Sequence, residues 1–132
     1  MFGRDNNILE YASNLSLEYQ KQHEIQHIVQ VFFEDLVTMF TSTELKANDY
    51  ILASAKYYFI YYNALYSEWM KWKRQQGINI TFTKESIQHY IREMEGYSGD
   101  DRRVINGNRV SVIRFNIKCD PLIVELFEAT SI

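Results

Sequence analysis

Apolar residues recur with helical spacing in the first third of the chain. They lie at offsets 0, 3, 4, 7, 11, 14 and 15: Ile25, Ile28, Val29, Phe32, Leu36, Met39 and Phe40. Spacings of three and four residues place side chains on one face of an α-helix. The pattern therefore predicts a helix over residues 17–40, preceded by a short polar helix or arm that begins near Asn6.

The densest apolar segment, residues 51–76, is predicted to form a single helix. The residues at helical spacing are Ile51, Ala55, Tyr58, Tyr62, Leu65, Tyr66, Trp69 and Trp72. Its first half is expected to be buried on nearly all sides, because residues 57 and 59–61 are also apolar. Positive charge is favourable in the last turn of a helix, where Lys71, Lys73 and Arg74 lie, and Gly77 is a suitable C-cap.

A second, shorter helix is predicted over residues 84–95. Thr83 is a typical N-cap residue, and Ile87, Tyr90, Ile91 and Met94 recur at offsets 0, 3, 4 and 7. The preceding residues 78–82 are expected to be extended, and residues 96–101 are expected to form a loop.

The pair Asn106-Gly107 is the clearest turn signal in the chain. A type I′ hairpin turn requires positive φ at both central positions, which Asn and Gly tolerate. The pair therefore predicts a hairpin that joins strands at 102–105 and 108–117, and Pro121 is predicted to open a last helix over 122–129.

Composition limits the class of protein. The chain has 132 residues, of which 46% are hydrophobic, with one Pro and five Gly, so it can fill a core and does not resemble a disordered protein. The longest uncharged apolar stretch has 11 residues, whereas a membrane span needs about 18. We expect one cytoplasmic domain with no membrane partner, and, with a lone Cys119, no disulfide and no cofactor.

The net charge of −3 hides a division along the chain. Residues 1–50 hold 3 basic and 8 acidic residues, whereas residues 71–118 hold 10 basic and 5 acidic residues. The C-terminal half can therefore present a locally basic surface, which is what binding of a polyanion requires.

The predicted order of helix, short link, helix and basic hairpin resembles a winged helix-turn-helix. The predicted fold is mainly α with a C-terminal β-hairpin (α+β), in one domain: a helical part (1–45), a winged-helix part (50–118) and a tail (119–132). In this interpretation the second helix enters a DNA groove and the hairpin holds the backbone. Ordinary solvated charges, or a winged helix that docks on a protein, remain open alternatives.

The candidate nucleic-acid contacts follow from this arrangement. Gln pairs with adenine, Arg pairs with guanine, and Lys mainly contacts phosphate. The candidates on the second helix are Lys84, Gln88, His89 and Arg92, those on the hairpin are Arg102, Arg103 and Arg109, and those on the preceding helix are Lys71, Lys73 and Arg74. The predicted partner is duplex or single-stranded DNA.

One stretch resembles a known family. Leu65-Tyr66-Ser67-Glu68-Trp69, followed by Gly77 and by Phe82 before a helix, is similar to the C-terminal winged helix of phage, plasmid and poxvirus-type primase-helicases. The resemblance covers residues 19–118 and implies a role in replication of a mobile element or virus, with a helicase, primase or polymerase as partner. The phosphate-binding motif GxxxxGK[ST] is absent from the sequence, so this chain is not expected to be the ATPase itself.

A minor alternative is a zinc hydrolase. Residues 23–27 match the zinc-hydrolase motif H-E-x-x-H. In this motif His23 and His27 would bind zinc and Glu24 would act as a base. However, the two histidines lie about 160° and 200° from Ile25 on a helical wheel, in the most solvent-facing sector. No third ligand is evident, so a solvated polar face is the preferred interpretation.

Another alternative is a small phage or mobile-element protein that inhibits or adapts a partner protein. Tyr57 and Tyr61 would then lie away from the apolar stripe and contact the partner or a second copy of the chain, since tyrosine is enriched at interfaces. The acidic first half would mimic nucleic acid.

Overall fold

The fold is described by a computed structural model, which covers the backbone of residues 2–130 and the side chains of residues 20–130. Over these residues the chain forms four α-helices and a four-stranded antiparallel sheet. The elements are α1 (Phe2–Thr41), β1 (Ile51–Ala53), β2 (Tyr57–Ile60), α2 (Tyr62–Gln75), α3 (Lys84–Arg92), β3 (Tyr97–Ile105), β4 (Asn108–Asn116) and α4 (Pro121–Ala129), with a 3₁₀ turn at Ala47–Asp49.

The sheet has the strand order β1-β2-β4-β3. Strand β4 lies between β2 and β3, so that Tyr58 is opposite Phe115 and Val104 is opposite Arg109. The predicted hairpin turn is confirmed, since φ is 52° at Asn106 and 79° at Gly107. The sheet thus joins a hairpin in the second half of the chain to the paired strands β1 and β2 that precede it.

The main core lies between the helices and one face of the sheet, here called the inner face. Phe32, Leu36 and other residues of the predicted α1 stripe are fully buried. The ring of Phe32 meets the ring of Trp69 edge-on at 5.1 Å, and Tyr58 stacks on Phe127 of α4 at 4.0 Å. The helix predicted over 17–40 is confirmed as part of α1, which is continuous from Phe2 with no separate arm before it.

The prediction of one helix over residues 51–76 is wrong in its first half. Residues 57–60 form a strand, and Ser54 closes the β1–β2 turn by donating its N–H to the Tyr57 carbonyl at 2.8 Å. Aromatic and β-branched side chains suit a pleated sheet, and a short apolar run does not distinguish a buried strand from a helix. The second half is helical as predicted, and Gly77, with φ of 74°, ends it.

One further difference also adds β-structure. Residues 96–101 were expected to be a loop, but β3 begins at Tyr97 and contains an irregularity in its register between Tyr97 and Asp100. Residues 78–82 form a link outside the sheet, α3 ends at Arg92, and α4 is confirmed. The fold is α+β as predicted, with a sheet of four strands rather than one hairpin.

None of the helices, as far as the structure describes them, has an apolar segment long enough to cross a membrane.

Candidate nucleic-acid interface

Helix α3 is fixed in place at its N-terminus and along its apolar side. The Thr83 hydroxyl accepts a hydrogen bond from the Ser86 N–H at 3.1 Å, which is the predicted N-cap. Ile87 and Ile91 are buried in the main core. Residues 84, 88 and 92 recur every four positions and therefore share a different side of the helix.

The β3–β4 hairpin presents two arginines on the inner face of the sheet. Arg102 is opposite Ser111, and Arg109 is opposite Val104. Directly opposed residues, and residues two positions apart, lie on the same face of a sheet. Arg102 and Arg109 therefore share one face, and both side chains are exposed.

A groove of about 620 Å³ separates α3 from the hairpin. Its lining residues are Asn63, Lys84, Glu85, Gln88, Arg92, Asp100, Asp101, Arg102, Arg109 and Ser111. The groove thus brings together five of the ten residues proposed from sequence to contact nucleic acid: Lys84, Gln88, Arg92, Arg102 and Arg109.

Arg92 is neutralised within the groove. Its Nη2 lies 2.7 Å from Asp100 Oδ2, and its Nε lies 3.3 Å from Oδ1, so the pair is bidentate. This hydrogen bonding to Asp100 raises the pKa of Arg92. Tyr97 also donates its hydroxyl to Asp100, at 2.9 Å. Arg92 must therefore leave Asp100 before it contacts a base.

Asp101 binds two arginines that lie on the opposite face of the sheet, here called the outer face. Its Oδ2 is 3.0 Å from Arg103 and 3.5 Å from Arg114. The Arg102 backbone N–H, which donates at 2.7 Å, and then the charges of Arg103 and Arg114 hold the pKa of Asp101 below its usual value. The prediction that Arg103 joins Arg102 and Arg109 on one surface is wrong, because consecutive strand residues alternate between faces.

Three cations of the groove form no ion pair with a described carboxylate, although the charge of Arg109 also helps to lower the pKa of Asp101. Among the described side chains, the ion pairs do not include Lys84, Arg102 or Arg109. The groove lining as a whole holds four cations and three carboxylates, a balance of 4 − 3 = +1. The available positive charge is therefore concentrated in these three side chains.

The other predicted contacts lie outside the groove. Lys71 pairs with Glu68 at 3.5 Å, His89 pairs with Glu93 at 3.1 Å, and Arg74 is exposed on α2. Lys73 is buried, and its Nζ lies 2.8 Å from Asp35 Oδ2, which also accepts a hydrogen bond from Trp69 Nε1 at 2.8 Å. The expectation that Lys73 contacts phosphate is therefore wrong, since its charge is already satisfied between α1 and α2.

Two polar groove residues were not predicted from the sequence. Ser111 could have been predicted. The turn at Asn106 sets the strand pairing that places Ser111 opposite Arg102, and directly opposed residues share a face of the sheet. Asn63 is in the first turn of α2. It had no sequence signal, because the strand that precedes it was predicted to be helical.

The two alternative sites are also located by the structure. His23 and His27 are exposed on α1, as the helical wheel predicted, and no group of three potential metal ligands occurs among the described residues. Tyr57 and Tyr61 belong to β2 and the residue after it, rather than to a helix. They lie on the outer face, where they pack with Phe59.

The candidate site is thus a mildly positive groove between a capped helix and a hairpin. It holds three cations that no described carboxylate pairs with, and uncharged polar side chains from Asn63, Gln88 and Ser111. Such a site provides charge for phosphate and hydrogen bonds for base edges. Comparisons with protein-family models, with curated proteins and with solved structures find no match to this chain.

Proposed function

We propose that the chain is a non-enzymatic nucleic-acid-binding module with winged-helix architecture, and that DNA binds in the groove between α3 and the β3–β4 hairpin. The observation that carries the proposal is the convergence of Lys84, Arg102 and Arg109, unpaired with any described carboxylate, on one groove. Polyanion binding requires cations that are free to exchange their counterions for phosphate.

The order of the elements supports the winged-helix assignment. Helices α2 and α3 are joined by a short irregular link and are followed directly by the long β3–β4 hairpin. The strand β2 that precedes α2 pairs with β4, so the hairpin is anchored beside the two helices. In this architecture α3 is the recognition helix and the hairpin is the wing.

The groove residues divide into two roles in this proposal. Lys84, Arg102 and Arg109 contact phosphates, and Gln88 contacts a base edge, for which adenine is the matching partner. Arg92 contributes only after it exchanges Asp100 for the nucleic acid. Three phosphate contacts predict a slope of log affinity against log salt of about −2.7 for duplex DNA.

A role in replication follows from the resemblance to primase-helicase winged helices over residues 19–118. In this role the module positions a helicase, primase or polymerase on the DNA of a virus or mobile element. Its own contribution is binding rather than chemistry.

The test is a fluorescence anisotropy titration of a labelled duplex of about 20 base pairs over a range of salt concentrations. The double variant Arg102→Gln/Arg109→Gln is expected to bind more weakly and to reduce the salt slope by about 2. The matched control is Lys21→Gln/Lys46→Gln, which removes the same charge from exposed positions outside the groove and is expected to bind like the wild type.

The proposal is contradicted if the wild type does not bind the duplex at low salt. It is also contradicted if the groove variant and the control variant lose the same affinity, since net charge rather than the groove would then explain binding.

A further inference from the structure

The outer face of the sheet carries a second apolar cluster, separate from the main core. Its members are Leu52, Tyr57, Phe59, Tyr61, Ile105, Val110 and Val112. Within the described part of the chain, the helices pack in the main core and contribute no residue to this cluster. Among the described side chains, those that cover the cluster belong to the sheet and to Tyr61.

Aromatic rings alternate with guanidinium groups over this face. Arg103 lies over the Phe59 ring at 4.5 Å, and Arg114 lies over the Tyr57 ring at 4.9 Å. The Tyr57 and Phe59 ring centroids are 6.2 Å apart. Tyr57 and Tyr61 are only half-buried, so part of each residue is exposed to a ligand; on Tyr57 this is the part that Arg114 does not cover.

Positive charge predominates on and beside this face. The described strand residues of this face include two cations, Arg103 and Arg114, and one carboxylate, Asp101, which pairs with both. A cleft of about 370 Å³ beside Tyr57 adds two lysines, since it is lined by Ala55, Lys56, Tyr57, Asn116, Ile117 and Lys118. A ligand of this face should therefore contain planar rings and carry negative charge.

We propose that the outer face is a second binding site, and that it takes single-stranded nucleic acid by stacking bases on Tyr57 and Tyr61. Lys56 and Lys118 contact phosphates, whereas Arg103, which is paired with Asp101, offers a further planar surface. Proteins that bind single strands combine these two features, because every base has a π-face and every nucleotide has a phosphate. A duplex does not fit this role, since its base faces are stacked on one another.

This site goes beyond the proposed function because it lies on the opposite face of the sheet from the α3 groove. The two are independent: the groove variant Arg102→Gln/Arg109→Gln tests duplex binding, whereas substitution of the tyrosines tests single-strand binding. A negative result for one site therefore does not contradict the proposal for the other site.

The experiment compares two double variants in anisotropy titrations with labelled oligodeoxythymidine and oligouridine of about 20 nucleotides. Tyr57→Leu/Tyr61→Leu removes the rings and keeps apolar packing, whereas Tyr57→Phe/Tyr61→Phe keeps the rings and removes only the hydroxyls. Each lost ring is expected to weaken binding about fivefold, so the leucine variant should lose about 25-fold. The phenylalanine variant should bind like the wild type.

Salt dependence provides a second readout. Stacking is not a charge interaction, so the loss in the leucine variant should have the same fold-change at low and high salt, with an unchanged salt slope. Both homopolymers should respond alike, because stacking does not involve the ribose 2′-hydroxyl. Duplex affinity should be unchanged in both variants.

The proposal is overturned if the leucine variant binds both homopolymers like the wild type, which would favour a protein as the partner of this face. It is equally overturned if the phenylalanine variant loses as much affinity as the leucine variant, since the hydroxyls rather than the rings would then be responsible. Circular dichroism checks folding, and if the leucine double variant is unfolded, Tyr61→Leu alone is expected to show the fivefold loss.

Discussion

At the scale of single residues, burial decides what a charged side chain does. Lys73 is 7% exposed and pairs with Asp35, whereas Lys71, two residues earlier, is exposed and pairs loosely with Glu68. Helical spacing already distinguishes the two lysines, because Lys73 follows the apolar Leu65 and Trp69 at intervals of four residues, whereas Lys71 lies on another side of the helix. The position of α1 beside α2 then supplies the Asp35 carboxylate that pairs with Lys73, which the spacing alone does not identify.

The first prediction concerns this buried pair. Asp35→Asn keeps a hydrogen-bond acceptor for Trp69 but leaves the Lys73 ammonium without a counter-charge, and breaking a buried pair in this way costs about 3 kcal/mol of unfolding free energy. The control Glu68→Gln breaks an exposed pair and should cost no more than about 0.5 kcal/mol. Urea unfolding measures both, and equal small losses would show that the Asp35–Lys73 pair does not stabilise the fold.

The second prediction concerns pH and Asp101, whose pKa is lowered by the Arg102 backbone N–H and by Arg103 and Arg114. A carboxyl whose folded pKa lies below its unfolded value of about 3.9 stabilises the fold fully above that value. This contribution is lost as pH falls through the folded pKa. The wild type should therefore exceed Asp101→Asn in stability by a constant amount from neutral pH to about pH 5, and the difference should shrink at lower pH.

Urea unfolding of the wild type and Asp101→Asn over that pH range tests this expectation. A difference that persists unchanged to the lowest pH, or that grows there, would contradict the assignment of Asp101 as the carboxylate that binds Arg103 and Arg114.

At the scale of secondary-structure elements, local signals predicted the elements that carry them. Thr83 caps α3, Asn106 and Gly107 make the hairpin turn, and Pro121 opens α4. Strand β2 has no such local signal, because the turn at residues 54–56 that joins it to β1 contains no Gly, Pro, Asn or Asp, and its other partner, β4, comes much later in the chain. A pairing of this kind is a tertiary interaction, so periodicity alone assigned residues 57–60 to a helix.

The third prediction tests how closely two loops approach each other. Gly96, between α3 and β3, has φ of 91°, and a Cβ there would overlap the Cβ of Cys119 before α4. Gly77 also has positive φ, 74°, but has open space around it. Gly77→Ala is therefore expected to cost about 1 kcal/mol from backbone strain, and Gly96→Ala about 2–4 kcal/mol from strain and overpacking. Thermal unfolding that shows equal losses would contradict the close approach of these loops.

At the scale of the whole molecule, the sheet divides the basic residues between two surfaces. The sequence correctly indicated that residues 71–118 are basic, and α3 and the hairpin do place Lys84, Arg102 and Arg109 on one groove. The sequence could not indicate how much of this charge is neutralised, because Asp100 and Asp101 reach Arg92 and Arg103 through the folded hairpin. The outer face was not predicted, since its rings were assigned to a helix.

The most direct test of the central claim is a map of backbone amide chemical shifts as duplex DNA is added to the ¹⁵N-labelled protein. The account predicts that the largest changes occur in the first two turns of α3 and in residues 100–111 of the hairpin, and that they disappear at high salt. Changes confined to α1 or α4, or no changes at low salt, would contradict the proposal that DNA binds in the groove between α3 and the hairpin.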